Sequence, residues 1–209
     1  MNTLINEINY LKQNTHLNRT IKKTIHSFKQ YKHNATNNEL FSELCYCILT
    51  ANCQAQTCLT IQKTFSIPFA TATKNQIKTH LKKHHYRFPN IRTEFIIEAQ
   101  QYKDNLKKIL NTYQKSKRRE WFIDHIKGLG MKEASHYLRN IGYDNYAIID
   151  THILSILQSY EIIKKPKTIT KKRYLQIEQK LQLIANKTDL TLASLDLYLW
   201  YMQKGLILK

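Results

Sequence analysis

The sequence predicts an all-α protein of about ten helices, and three observations carry that expectation. Apolar residues recur at three-to-four spacing along most of the chain. Glycine (4) and proline (3) are too scarce in 209 residues for the frequent turns of a many-stranded sheet. No stretch reads as a strand. Hydrophobic residues make up 42% of the chain, enough for one large domain or two small ones sharing a core.

In chain order, "LNRTIKKTIHSFKQYKH" places Leu17, Ile21, Ile25 and Phe28 on one helical face. "NNELFSELCYCILTAN" starts after Asn37 or Asn38 as N-cap and is almost wholly apolar from Leu44 to Leu49, the pattern of a central buried helix. "QTCLTIQKTF" continues as a shorter amphipathic helix. Pro68 then breaks the chain, and "KNQIKTHLKKHH" forms another short helix. Pro89 sets Phe88 in an extended loop, because a residue before proline avoids helical dihedrals. "IRTEFIIEAQQYKDNLKKILNTY" reads as the longest helix, and "KSKRREWFIDHI" follows it. After a glycine-bearing stretch come "THILSILQSYEII", Pro166, "KKRYLQIEQKLQLIANKT" and "LTLASLDLYLWYMQKG". The basic run from Lys164 to Arg173 fits a solvated loop or a phosphate contact.

The formal charge is +18, with a pI near 9.7. Such an excess attracts polyanions, nucleic acid first among them, and 13 Tyr and 7 Phe offer surfaces for stacking. The alternative is a basic surface that serves solubility. "MNTLINEINYLKQNTHL" has no apolar signal core, and no run is long enough to span a membrane, so a soluble intracellular protein is expected. Cys45, Cys47, Cys53 and Cys58 cluster as C-x-C-x5-C-x4-C, without the C-x2-C knuckle of zinc ribbons or the common iron–sulfur spacings. They read as small core residues in a reducing compartment; no metal and no cofactor is expected.

Three of the four glycines, Gly128, Gly130 and Gly142, fall within "KGLGMKEASHYLRNIGYDNYAIID", and the first 127 residues contain none. A helix ending near Ile126 and another starting near Met131 leave Gly128 and Gly130 free to take positive φ. They also leave the amides of Gly128, Gly130 and Met131 uncovered, at the positive end of a helix dipole. That is a phosphate-binding element made of backbone donors, which reads charge and not sequence. Gly142 more simply ends the second helix.

"GLGMKEASHYLRNIG" resembles the helix-hairpin-helix motif, usually L-P-G-[VI]-G-x-K-x-A. Lys127 stands for its proline and Leu129 for its β-branched residue. Eighteen positions separate Lys132 from Asp150 in "AIIDTHIL", as separate the hairpin lysine and the "[VI]DTH[IV]" aspartate of helix-hairpin-helix DNA glycosylases. No cysteine follows Cys58, so the iron–sulfur cluster of the endonuclease III-like members is absent. "ELCYCILTAN", "YRFPNIRTEFI" and "LDLYLWYMQKG" narrow the resemblance to the archaeal-type 8-oxoguanine DNA glycosylase/lyases, over roughly residues 39 to 209.

That resemblance implies two helical lobes with the hairpin at their boundary: 36–127, and 1–35 with 128–209. It implies excision of 8-oxoguanine from double-stranded DNA with Lys132 as nucleophile, then strand cleavage through a Schiff base. A free lysine has a pKa of about 10.4 and is neutral in fewer than about one molecule in 1,000 at pH 7. The chemistry therefore calls for a site that favours the neutral amine, through burial or a positive field. Asp150 is at once a candidate N-cap and a carboxylate to stabilise charge on the sugar and accept a proton from Lys132. Asn52, ending "LTAN", fills the gap left by the extruded base; without the resemblance it reads as a helix C-cap. Phe88 and Trp200 are the stacking candidates, and the carboxylate of Lys209 a base contact. Trp200 also fits a core position, and His152 reads as structural before it reads as a DNA contact. A monomer in the cytoplasm or nucleoid of a prokaryotic cell is expected. The rival readings are a glycosylase for an oxidised pyrimidine and a non-catalytic binder of DNA structures.

Overall fold

The computed structural model describes residues 1–207, the side chain of Lys115 excepted. Among these residues there are twelve α-helices and a one-turn 3-10 helix, and no strand. The helices are α1 (Asn2–Gln13), α2 (Thr15–Asn34), α3 (Asn37–Thr50), α4 (Ala55–Thr64), α5 (Lys74–Lys83), α6 (Pro89–Ala99), α7 (Leu106–Thr112), α8 (Lys115–His125), α9 (Met131–Asn140), α10 (Thr151–Ser159), α11 (Lys171–Lys187) and α12 (Leu192–Lys204). No helix among the described residues is long and apolar enough to cross a membrane.

The chain forms two compact units, Met1–His33 with Leu138–Lys209, and Asn34–Tyr137. The second division falls inside α9, where the sequence expectation set it at 127/128. The first two turns of α9 therefore belong with α3 to α8.

The unit Asn34–Tyr137 is built on α3. Leu40, Phe41, Leu44, Cys45, Ile48 and Leu49 are all at most 3% exposed, so α3 is buried nearly all round. Its N-cap is Thr36, one residue before the two asparagines. Thr36 Oγ1 accepts from Glu39 N–H, and the Glu39 carboxylate accepts from Thr36 N–H at 2.7 Å. Threonine wins because only it has glutamate three positions on, which completes a capping box. The helix expected over "IRTEFIIEAQQYKDNLKKILNTY" is interrupted. After Ala99 the chain tightens into the 3-10 helix Gln100–Tyr102 and restarts at Leu106. Gln100 Nε2 donates to Phe69 O and Ala72 O, both at 2.8 Å, and Lys103 Nζ donates to Ala70 O at 3.0 Å. Those side chains satisfy the carbonyls of the 69–72 turn, whose backbone has no regular partner.

In the other unit, Leu17, Ile21 and Phe28 of α2 pack on Leu197 and Tyr198 of α12, with Ile25 at the edge. The predicted stripe is the core contact. α9 ends in a paired C-terminal motif: Gly142 N–H donates to Arg139 O and Tyr143 N–H to Leu138 O, at 3.0 and 2.9 Å. Gly142 has φ +91, and a Cβ there would lie 2.4 Å from Phe28 O. The residue thus ends the helix and admits the α2 backbone at once.

Two expectations follow. Gly142→Ala destabilises this unit by about 2 kcal/mol or more in urea melts, because it adds left-handed strain to a backbone clash. The Thr36 amide, then the Thr36 hydroxyl, hold the Glu39 carboxyl below its ordinary value. Stability from this cap is complete above the ordinary carboxylate range and is lost as pH falls through the lowered folded value. Glu39→Gln removes that part of the acid limb in thermal melts taken between about pH 5 and pH 2.

Candidate active site

The hairpin is set by its supports. α8 ends with Ile126 as an extended C-cap, Leu129 N–H turns back onto Ile126 O at 3.2 Å, and the Leu129 side chain is buried. Gly128 has φ +88, and a Cβ there would lie 2.6 Å from Phe95 Cδ2 and 2.9 Å from Arg92 Nη1. Gly130 does not take the positive φ that its residue type permits; a Cβ would meet only Glu133 Oε2, at an ordinary 3.5 Å. Gly128 is there because nothing else fits. Gly130 instead leaves an exposed backbone bare at the mouth of α9. Ala134 N–H donates to Gly130 O at 3.0 Å, so the amides of Met131 and Lys132 stand in the first turn, where a helix offers no acceptor.

Lys132 lies in that first turn, with its side chain 27% exposed. Nζ is 3.4 Å from Glu133 Oε1, whose side chain is 16% exposed. The peptide beneath is braced from α8: buried Arg119 donates to Ser135 Oγ at 3.1 Å, and Ser135 donates to Met131 O at 2.8 Å. Lys127, in the place of the motif's proline, reaches Glu98 Oε1 of α6 at 2.8 Å and ties the hairpin down from outside. One face of α6, bearing Arg92, Phe95 and Glu98, therefore holds the whole hairpin.

Asn52 and Phe88 sit in the same unit. Ala51, with φ −64 and ψ 111, is the C-cap of α3, and Asn52 follows at φ +60. With Cys53 N–H bonded to Thr50 O at 3.2 Å, these are the features of a type II turn with Asn52 at its third position, exposed. Asparagine tolerates that conformation better than other side-chain-bearing residues. Phe88 is the N-cap of α6, half-buried, with Pro89 at N1; at φ −127 and ψ 53 it avoids the helical region, as a residue before proline does, but it is not in the extended conformation the sequence predicts. Arg87 and Arg92 stand 4.9 and 6.0 Å from the centre of its ring. Tyr86 donates to Leu49 O at 2.6 Å, and Arg92 Nη2 to Ala51 O at 3.1 Å. The Phe88 loop thus holds carbonyls at the end of α3, beside the Asn52 turn. Sequence reading missed Arg92. An arginine in a loop-to-helix junction of a basic chain looks like one surface cation among many.

Asp150 lies in the other unit. It caps α10, with Oδ1 accepting from His152 N–H and Ile153 N–H, both at 2.9 Å; Oδ2 has no hydrogen-bond partner among the described residues. The segment that delivers it, residues 146–149, is buried and non-helical. Three of its backbone polar groups go to α11. Glu178 accepts from Ala147 N–H at 2.9 Å, while Tyr174 Oη accepts from Ile149 N–H at 3.1 Å and donates to Ala147 O at 2.7 Å. Neither residue stands out in the sequence, since each occupies an ordinary inward position of an amphipathic helix. Trp200 of α12 is half-buried, edge-on to His152 at 5.7 Å, with Lys204 Nζ 5.9 Å from its ring centre. His152 thus touches both the Asp150 cap and Trp200. Lys209 lies outside the described residues.

Among the described residues no three His, Cys, Asp or Glu side chains gather to hold a metal, and the four cysteines are free. Cys45, Cys47 and Cys58 are buried. Burial pushes the Cys58 thiol up to about 12, against a smaller opposing pull from the charges of Lys132 and Arg92.

The model of the 8-oxoguanine DNA glycosylase family with a helix-hairpin-helix matches residues 21–190. The chain is 43% identical over 208 residues to the 8-oxoguanine DNA glycosylase/AP lyase of Methanocaldococcus jannaschii, covering 99% of each. It is 40% identical over 183 residues to that of Korarchaeum cryptofilum, covering 87% of this chain and 88% of the relative. The crystal structure of the M. jannaschii protein with a 15mer DNA containing 8-oxoguanine matches with a TM-score of 0.94 at 42% identity, over 99% of this chain and all of that one. The Thermotoga maritima 8-oxoguanine DNA glycosylase matches with a TM-score of 0.93 at 32% identity, over the full length of both.

The two hairpin glycines separate experimentally. Gly128→Ala lowers the melting temperature by an amount equivalent to about 2 kcal/mol or more, since it meets both strain and clash. Gly130→Ala changes stability by less than about 0.5 kcal/mol. It weakens duplex binding in fluorescence anisotropy at fixed salt, because the added methyl covers the open amides.

Proposed function

The chain belongs to the 8-oxoguanine DNA glycosylase family, and from that premise we propose that Lys132 both releases the damaged base and opens the strand. The protein is an 8-oxoguanine DNA glycosylase/AP lyase acting in base excision repair. The observations that support these roles are made in each unit by itself: Lys132 stands in the first turn behind a glycine-restricted hairpin, and Asp150 keeps one carboxylate oxygen without a hydrogen-bond partner among the described residues.

The hairpin amides at Gly128, Gly130 and Met131 take a DNA phosphate, where the helix dipole favours negative charge. The target nucleotide leaves the stack. Asn52, exposed on its turn, occupies the gap and meets the orphaned base. Phe88 and Trp200 stack on the extruded base, with the Lys209 carboxylate as a polar contact. The Lys132 amine attacks C1′, the C1′–N bond breaks, and the base leaves with a proton. The sugar ring opens to a Schiff base on Nζ. Loss of the C2′ proton then expels the 3′ phosphate, and water hydrolyses the Schiff base to free the lysine. Asp150 Oδ2 offsets positive charge growing on the sugar and accepts a proton from Lys132. Binding through Oδ1 keeps that carboxylate fixed. The working form is one chain, in the cytoplasm or at the nucleoid of a prokaryotic cell; the +18 charge supports residence on DNA.

Borohydride reduction during turnover of an 8-oxoguanine duplex traps wild-type protein on DNA. Lys132→Gln binds the same duplex and gives no adduct; an adduct at wild-type yield would remove Lys132 from the mechanism. Asp150→Asn separates capping from chemistry. Asparagine caps as well as aspartate, so stability holds within about 0.5 kcal/mol, while excision slows by about 10²- to 10⁴-fold in single-turnover assays.

A further inference from the structure

Arg92 is 8% exposed and touches three parts of its unit with one planar group. Nη2 donates to Ala51 O at 3.1 Å. The guanidinium carbon lies 5.4 Å from the centre of the Phe95 ring and 6.0 Å from that of Phe88. Nη1 stands 2.9 Å from the point where a Cβ on Gly128 would be. Nε is buried without a hydrogen-bond partner among the described residues.

Ala51 O has a particular importance. It belongs to the central peptide of the turn that displays Asn52. Type I and type II turns differ mainly by a half-rotation of that peptide, and φ > 0 at the third position belongs to type II. A donor fixed on Ala51 O selects one orientation, and so the direction of Asn52. An apolar side chain of similar size packs against Phe88 and Phe95 without the cost of burying a charge. The hydrogen bond to Ala51 O is what such a side chain cannot supply. The rigid guanidinium then carries that orientation to the hairpin backbone.

We propose that Arg92 is a positioning residue that couples base extrusion to the chemistry, by locking the turn that presents Asn52 to the hairpin that carries Lys132. This rests on the roles given above to Asn52 and Lys132.

The test compares two duplexes, one with a single 8-oxoguanine opposite cytosine and one with a preformed abasic site at the same position. The second has no base to extrude. Arg92→Met keeps a side chain of similar length against Phe95 and the Gly128 backbone, so the hairpin stays seated; it slows single-turnover excision of 8-oxoguanine by about tenfold or more, while borohydride trapping at the preformed site stays within about threefold of wild type. The rise in fluorescence of 2-aminopurine placed beside the lesion, which reports unstacking, is lost in parallel. Asn52→Ala reproduces the pattern, and the double variant is no worse than the more damaged single. Equal losses on both duplexes, unchanged excision, or effects that multiply in the double variant overturn the proposal. If Arg92→Met loses cooperative melting, the same ratio is read from Arg92→Lys, which keeps the cation without the fork; a selective loss on the 8-oxoguanine duplex supports the coupling, and its absence overturns it. The failure of Lys132 as nucleophile shows separately, as trapping by Lys132→Gln on either duplex.

Discussion

The hairpin exists in its observed form because the backbone at Gly128 lies against Arg92 and Phe95 of α6 too closely for any side chain. That contact fixes the path of residues 126–131, and the rest of the hairpin follows from it. Lys127 adds a tie to Glu98 on the same face, but an exposed pair of this kind is worth at most about 1 kcal/mol. The steric condition is the stronger one, since relieving it means moving an aromatic ring and a buried guanidinium together. The direction of the first turn of α9, and with it the placement of Lys132, therefore depends on how α6 is seated. α6 in turn packs on α3 and α5 through residues such as Ile96, which is fully buried. The Lys132 amine is thus positioned by apolar packing two steps away from it.

The other unit solves a different problem. A buried segment without helix or sheet, residues 146–149, must find partners for its peptide groups or carry a cost of about 1–3 kcal/mol for each group left unpaired. Tyr174 and Glu178 partner three of them, Ala147 N–H, Ala147 O and Ile149 N–H. The segment runs without helix or strand until Asp150, itself extended, starts α10 with its own carboxylate. One side chain ends an irregular stretch, begins a helix and leaves an oxygen without a hydrogen-bond partner among the described residues. The first two uses make the third reproducible, because a capped carboxylate has few rotamers open to it.

Several of these features are legible in the residues alone. The stripe Leu17, Ile21, Ile25, Phe28 is a core contact, Gly142 is a helix terminator, and Asp150 is a cap, each from local rules that the surroundings reinforce. The misses share a cause. The break after Ala99 depends on Gln100 finding carbonyls some thirty residues earlier, and no window of sequence contains that partner. Thr36 displaced Asn37 as N-cap because of a glutamate that also had to be free to fold back. The polar residues that set the site's backbone (Arg92, Tyr174, Glu178) look like many others in the chain. Their roles come from which carbonyls lie opposite, and that is tertiary information. Residue type permits positive φ at Gly130 and does not require it, and the backbone there does not take it.

The state of the thiols has a bearing on the conditions in which the protein works. 8-Oxoguanine is a product of oxidation, so a protein that meets it in quantity meets oxidants as well. Thiolate is the species that peroxides attack, and access decides how fast. Cys58 lies within electrostatic reach of Lys132, yet burial keeps it a thiol, and Cys45 is held protonated in the same way in the centre of α3. Packing that serves the fold thereby confers chemical inertness. Those two thiols can remain reduced while the DNA around them does not.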